Sequence, residues 1–267
     1  MKKTLEAWLW SLRLLARSPF ALVGLGVLSA LWVLAAYQWL ALPESSALML
    51  VLTFVWGLAQ VLIAISALAG TAASAVEAAG FGSPPSSGLT FVTFNRRLLA
   101  RTVLLALGGA ILAYLVSLAL GWVDAHTVEI ASFLTFHSQK PTSHIVIEKI
   151  LWWIEAAVWI VVCGFLLTFL MTLLRSGWGG AFQQSKHIFA NCLYRGSFLT
   201  VVVGVLVFGW LSNFLFNWHP QVMPGFWDYT EAVLRLGFGL LLLVAGWFFT
   251  LLSLARLNPR QDSSTQT

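Results

Sequence analysis

Charged side chains are scarce. Asp, Glu, Lys and Arg make up only 9% of the 267 residues, against roughly a quarter in a soluble domain. A chain so poor in ionic groups cannot cover itself with a water-soluble surface, which excludes a soluble globular fold. Cysteine is nearly absent as well. Cys163 lies inside an apolar run and Cys192 in a short amphipathic one. Two thiols without ligand spacing exclude a disulfide framework and a cysteine-built metal centre. Alternating runs of about ten residues, the mark of outer-membrane barrel strands, do not occur. Nor do the GxSxG, P-loop, GxGxxG, HExxH or CxxC patterns, and no polar stretch is long enough to form a nucleotide-binding domain. The chain therefore reads as a non-enzyme with no cofactor implied.

What is present is apolar length. Hydrophobic residues make up 59% of the chain, and several uninterrupted runs exceed the roughly 18 residues that mark a membrane-spanning helix. The runs predict an all-α, polytopic membrane bundle with six transmembrane helices at about 19–42, 47–69, 102–122, 150–174, 197–217 and 231–254. The first follows Lys2, Lys3, Arg13 and Arg17 and is too long for a signal-peptide core, so it reads as an uncleaved span. Twelve of the fifteen Lys and Arg residues fall at the N-terminus, the C-terminus and the loops 70–101 and 175–196; Lys140, Lys149 and Arg235 are the others. The positive-inside rule then places both termini in the cytoplasm of a bacterial plasma (inner) membrane. The net charge of +5 is dispersed over span ends. It serves topology and anionic lipid headgroups rather than nucleic acid. Trp39, Trp122, Trp152, Trp153, Trp218 and Trp227 stand at expected outer ends and Trp8, Trp10 and Trp178 at inner ones, where indoles favour the headgroup level.

One short phrase recurs before apolar runs: Leu14-Leu15-Ala16-Arg17, Leu98-Leu99-Ala100-Arg101 and, more loosely, Leu193-Tyr194-Arg195. Each closes an amphipathic stretch. In residues 5–17, Leu5, Trp8, Leu9, Leu12, Leu15 and Ala16 share one helical face, with Glu6, Arg13 and Arg17 opposite. Such a helix lies in the membrane interface. Arg17, Arg101 and Arg195 are thus expected as interfacial lipid anchors. The recurrence predicts three repeats of interfacial helix plus hairpin, at about 1–80, 89–176 and 181–255. Together they form one transmembrane domain, 1–255, followed by a polar cytoplasmic tail, 256–267, expected to be disordered.

Four other stretches carry expectations. From Ala64 to Gly80, thirteen of seventeen residues are Ala, Gly, Ser or Thr. Small residues let helix backbones approach closely in lipid, so this helix is expected to run past the membrane and to sit at the bundle centre. Residues 80–88, rich in Gly, Pro and Ser, read as a loop. The 123–149 loop reads as a polar, partly helical outer cap. Within it, His144 and Glu148 are spaced four apart, as two metal ligands on one helix face could be. With no HExxH and with His126, His137 and His144 spread over nineteen residues, no metal site is assigned. Glu155 and Arg235, each about one turn into a span, are expected to form an ion pair between hairpins; Arg235 also has Glu231 four residues before it.

The junctions Trp10 to Phe20, Phe94 to Arg101 and Lys186 to Phe198 resemble those of loosely defined bacterial six-span membrane protein families, including the membrane domain attached to some glycerophosphodiester phosphodiesterases. That resemblance implies the fold alone, since the phosphodiesterase domain is missing. A second resemblance is to permease subunits of ABC-2-type exporters, carried by the elbow-like Leu5 to Arg17. It implies a docking segment for an ATPase at 80–101 and a re-entrant feature at His219 to Trp227. The expected function is an accessory or scaffold protein of the membrane. The alternative is an exporter permease that needs a separate ATPase. Its expected partners are membrane lipids, anionic headgroups at the cytoplasmic face, and other membrane subunits.

Overall fold

The computed structural model describes residues 2–41, 46–81, 95–138, 143–218 and 226–258, with the side chains of residues 81, 195 and 226–229 excepted. Every element among them is helical. In chain order they are α1 (Lys2–Ala16), α2 (Pro19–Leu40), α3 (Ala47–Phe81), α4 (Arg96–Ala125), α5 (Thr127–Ser138), α6 (His144–Gln183), α7 (Ser185–Leu193) and α8 (Arg195–Val202). A π-helical stretch (Val203–Gly209), α9 (Trp210–Asn217) and α10 (Phe226–Leu257) complete the order. Among the described residues, six helices are long and apolar enough to cross a membrane: α2, α3, α4, α6, the continuous run Gly196–Asn217, and α10. The protein is a multi-pass helical membrane protein.

Local chemistry sets the breaks. The Ser18 hydroxyl donates to the Leu14 carbonyl (3.0 Å), and Pro19 starts α2, where its missing N–H is no loss. Asn95 accepts from the Arg97 amide to cap α4 (3.1 Å), satisfying one of the donors that every helix start leaves free. Tyr194 turns to an extended conformation between α7 and α8. The first and third junctions therefore separate a surface helix from a span, as expected. The second does not: Leu98–Arg101 belongs to the opening turns of α4 itself. Residues 91–94, which would have formed the rest of that surface helix, lie outside the described residues. So do the 82–90 loop, Lys140, residues 219–225 of the re-entrant feature and the tail from residue 259.

The helices are gathered at one end, here called the basic end, and spread toward the other. α3 is longer than a span needs: its 35 residues extend about 52 Å at ~1.5 Å per residue, against a hydrocarbon core of about 30 Å. The expectation that it occupies the bundle centre holds for its small-residue half alone. Only 6% of its most apolar window is buried, whereas 61% of the corresponding window of α10 is. The hub is α10, with Phe248, Leu251, Leu252 and Leu254 sealed against α1, α2, α3 and α8. The small-residue run of α3 does contribute: Ala69, Ala72, Ala75 and Ala78 are fully buried, and the lack of bulk there permits close backbone approach. The fifth span meets α10 the same way, Phe208 lying where a side chain on Gly246 would sit. A smaller core joins α6 and α7 through Phe169, Leu173, Ala181, Ile188 and Cys192.

Candidate functional site

Two assemblies stand out: a knot at the basic end, and a tryptophan clasp between α2 and α3 with a cavity below it.

The knot is built on α1. Its buried residues are Thr4, Ala7, Ser11, Leu14 and Leu15, a mostly small and polar stripe. Leu5, Leu9 and Leu12, the centre of the expected apolar face, are 56%, 44% and 46% exposed. The cationic stripe of Lys2, Lys3, Arg13 and Arg17 is exposed too. The helix thus has three faces, spaced by roughly a third of a turn, rather than the two expected. The protein-facing stripe is held by hydrogen bonds. Ser253 donates to the Ser11 hydroxyl (2.9 Å), which donates in turn to the Ala7 carbonyl (2.9 Å). The Trp8 indole donates to the Thr200 hydroxyl (2.8 Å). The Arg256 guanidinium lies 5.4 Å from the Trp10 ring centroid, within cation–π range.

Opposite α1, Arg175 of α6 donates to the carbonyls of Asn258 and of Ala255 (3.0 Å for the latter). A cation and donor placed on the last carbonyls of α10 satisfies orphan acceptors and opposes the negative end of the helix dipole. Asn191 of α7 adds a bond to the Asn258 side chain (3.2 Å). Two residues beyond Arg175, Gly177 takes φ 72° and ψ −174° and kinks α6; beyond it Trp178 and Phe182 stack on each other and meet Phe169 tilted and edge-on. Arg101, expected as a free lipid anchor, is half-buried, with its Nη2 3.4 Å from where a Gly177 side chain would begin. Arg17 is exposed, and the Arg195 side chain lies outside the described residues. Sequence reasoning missed Arg175 because nothing distinguishes a capping arginine from a topology-setting one until the two helix ends meet.

The clasp joins α2 to α3 by three indole N–H groups donating to backbone carbonyls: Trp32 to Gln60 (3.1 Å), Trp39 to Thr53 (2.7 Å) and, in the reverse direction, Trp56 to Ala35 (3.1 Å). A helical carbonyl has a second lone pair to offer, so the clasp leaves the helices intact. Trp39 reaches α3 because Gly57 leaves room: a methyl group there would lie 3.1 Å from the indole. Trp39 is therefore an interhelical donor besides standing near a span end. Below the clasp, α10 approaches α2 and α3, and the three helices bound a laterally open cavity of about 450 Å³. Trp32, Ala64, Ala67, Thr71, Leu243 and Trp247 are among its walls. Thr71 donates to the Ala67 carbonyl (2.8 Å) and accepts from the Trp247 indole (3.2 Å).

The remaining expectations fare differently. The Glu155–Arg235 pair is not formed: Glu155 is exposed on α6, and Arg235 places its Nε 3.4 Å from Glu231. One turn of α10 already supplies a carboxylate, and no second helix is needed. His144 and Glu148 are both exposed in the first turns of α6, and no group of three metal-ligating side chains occurs among the described residues. The outer cap is helical, but α5 is not polar: it exposes Val128, Phe133 and Phe136, the surface of a helix that meets lipid. Comparison with protein-family models, curated proteins and solved structures found no match to this chain.

Proposed function

We propose that this protein is an accessory or scaffold of the bacterial plasma membrane, with both termini cytoplasmic, that presents long helical faces to other membrane subunits from a rigid cytoplasmic base. The uneven packing carries this reading. The basic end is tied by hydrogen bonds among α1, α6, α7, α8 and α10, whereas the apolar windows of α3 and α4 are each only 6% buried. Where lipid is as apolar as the helix surface, association depends on shape and on a fixed backbone rather than on hydrophobicity. The gathered base supplies that fixity. The orientation rests on the clustering of Lys and Arg at the tied end, with exposed Lys2, Lys3, Arg13 and Arg17 facing anionic headgroups. Each such cation contributes about 1 kcal/mol near an anionic surface.

The test is purification from native membranes in mild detergent with mass spectrometry of what accompanies the protein. Integral membrane partners in fixed ratio are expected, lost when bulky side chains are placed on exposed faces of α3 or α4. Purified protein that moves a solute or lipid unaided in liposomes would overturn the scaffold reading. The alternative, a permease subunit served by a separate ATPase, is favoured by one observation: α1 is a distinct elbow, broken from α2 at Arg17–Ser18 and docked on the base. Copurification of an ATPase, abolished by changes in 80–101, selects that alternative. Reporter fusions at each terminus test the orientation.

A further inference from the structure

We infer that the cavity between the α2–α3 hairpin and α10 is a binding site for one acyl chain of a membrane phospholipid. Three observations converge. First, its position leaves few candidates. The walls come from the middle turns of three spanning helices, a depth at which the surrounding solvent is hydrocarbon. The cavity is open sideways, since Val33, Ile63 and Leu243 on its rim are exposed.

Second, its length fits. The wall runs from Leu25 to Val33 on α2 and from Ile63 to Thr71 on α3. Either distance is about 12 Å at ~1.5 Å per residue, close to the half-thickness of a hydrocarbon core of about 30 Å. A chain lying along the helix axes fills it; a compact polar solute does not.

Third, its polar side chains other than the Ser29 hydroxyl are engaged. The Trp32 indole donates to Gln60, the Trp247 indole to Thr71, and the Thr71 hydroxyl to Ala67. Apolar cavities of this kind stay dry, and walls without facing atoms forfeit their dispersion contacts. Neighbouring acyl chains can supply those contacts. The occupied site wedges α10 against the hairpin, so the lipid becomes a structural part of the bundle.

The experiment titrates the full chain, purified and delipidated in dodecyl maltoside micelles, with a phosphatidylcholine that carries a photoactivatable diazirine on one acyl chain, and maps the labelled peptides. Labelling at Ile63, Ala64, Ala67 and Leu243 is expected to saturate at low probe fraction. Labelling of lipid-facing Leu115 on α4 and Val207 in the fifth span, both exposed, should rise in proportion to the probe. Ala67→Phe fills the cavity and should abolish the saturating component while leaving Leu115 and Val207 labelled as before. Because saturation is read on the unaltered protein, the inference stays testable if that variant misfolds. Cavity labelling that rises without saturation alongside Leu115 refutes a discrete site. Loss of the saturating signal to an unlabelled polyprenyl alcohol, but not to excess phosphatidylcholine, refutes the phospholipid assignment.

Discussion

Gly177→Ala isolates the strain that the kink in α6 places on the backbone. At φ 72° and ψ −174°, the residue occupies a region open almost only to glycine, and a side chain there costs of order 1–3 kcal/mol. Sterics add little. A Cβ at this position would lie 3.4 Å from Arg101 Nη2 and 3.8 Å from its Cζ, ordinary van der Waals separations. The expected loss is therefore the backbone term alone, about 1–3 kcal/mol, a shift of roughly 5–150-fold in the unfolding equilibrium. Gly179→Ala is the matched control: a Cβ there meets nothing within 4 Å, and inside a helix alanine is favoured over glycine by about 1 kcal/mol. The assay is SDS-titrated unfolding of the purified protein in micelles, followed by circular dichroism. The two variants should move in opposite directions. Because Arg175 stands two residues before the kink, Gly177→Ala should also raise hydrogen exchange at the last amides of α10. Equal stability of the two variants, or exchange unchanged at α10, refutes the account of the kink.

Other expectations follow from the same geometry. Trp32→Phe and Trp39→Phe keep a ring but remove one indole donor each. Each should cost about 0.6 kcal/mol, at most ~1.7, as interhelical bonds in membranes do, measured in the same titration. Arg175→Gln should cost roughly 1–2 kcal/mol through loss of the cation at the end of α10, and Arg175→Lys should recover only part, having no fork to bridge two carbonyls; exchange at residues 254–258 reports it. Burial pushes the Cys192 thiol up, with the Thr168 hydroxyl pulling the other way. A folded-state value raised in this way means the stabilisation is fully present below the ordinary thiol pKa and lost as pH rises through the raised one. Alkylation of Cys192 should accordingly stay slower than that of a free peptide thiol at pH 8 and equalise in SDS. Glu155→Gln should leave unfolding unchanged while Glu231→Gln lowers stability; the reverse order would reinstate the inter-hairpin pair.

The spans were legible because a run of 18 apolar residues has few other uses, and the surface helices α1 and α7 because their cations cluster at one junction. The extra length of α3 followed from its small-residue run. The hub was not legible. In lipid, a helix packed on all sides and a helix bathed in acyl chains have the same composition, so nothing in α10 marked it over α3. The face of α1 was misassigned for the same reason. In water the apolar stripe of a helix must meet protein, but at a membrane interface lipid can take Leu5, Leu9 and Leu12 while Thr4, Ala7 and Ser11 meet the bundle. Arg235 pairs within its own helix, at a spacing that the sequence displayed; preferring Glu155 favoured a long-range partner where a local one sufficed. The tryptophans of the clasp were hidden by the general tendency of indoles to mark span ends, which says nothing about the carbonyl each reaches.

The bonds that fix α1 have a temporal cost. Its partners are Thr200 and Ser253, 192 and 242 residues further along the chain. At a synthesis rate of about 5–20 residues per second, the nascent helix waits roughly 12–50 s after Ser11 is made before Ser253 exists to receive it. Throughout that interval the α10 part of its docking surface is missing, while spans one to five emerge and insert. α10 therefore closes α1, and a polypeptide stalled or cut before α10 leaves the Ser11 hydroxyl without its Ser253 donor.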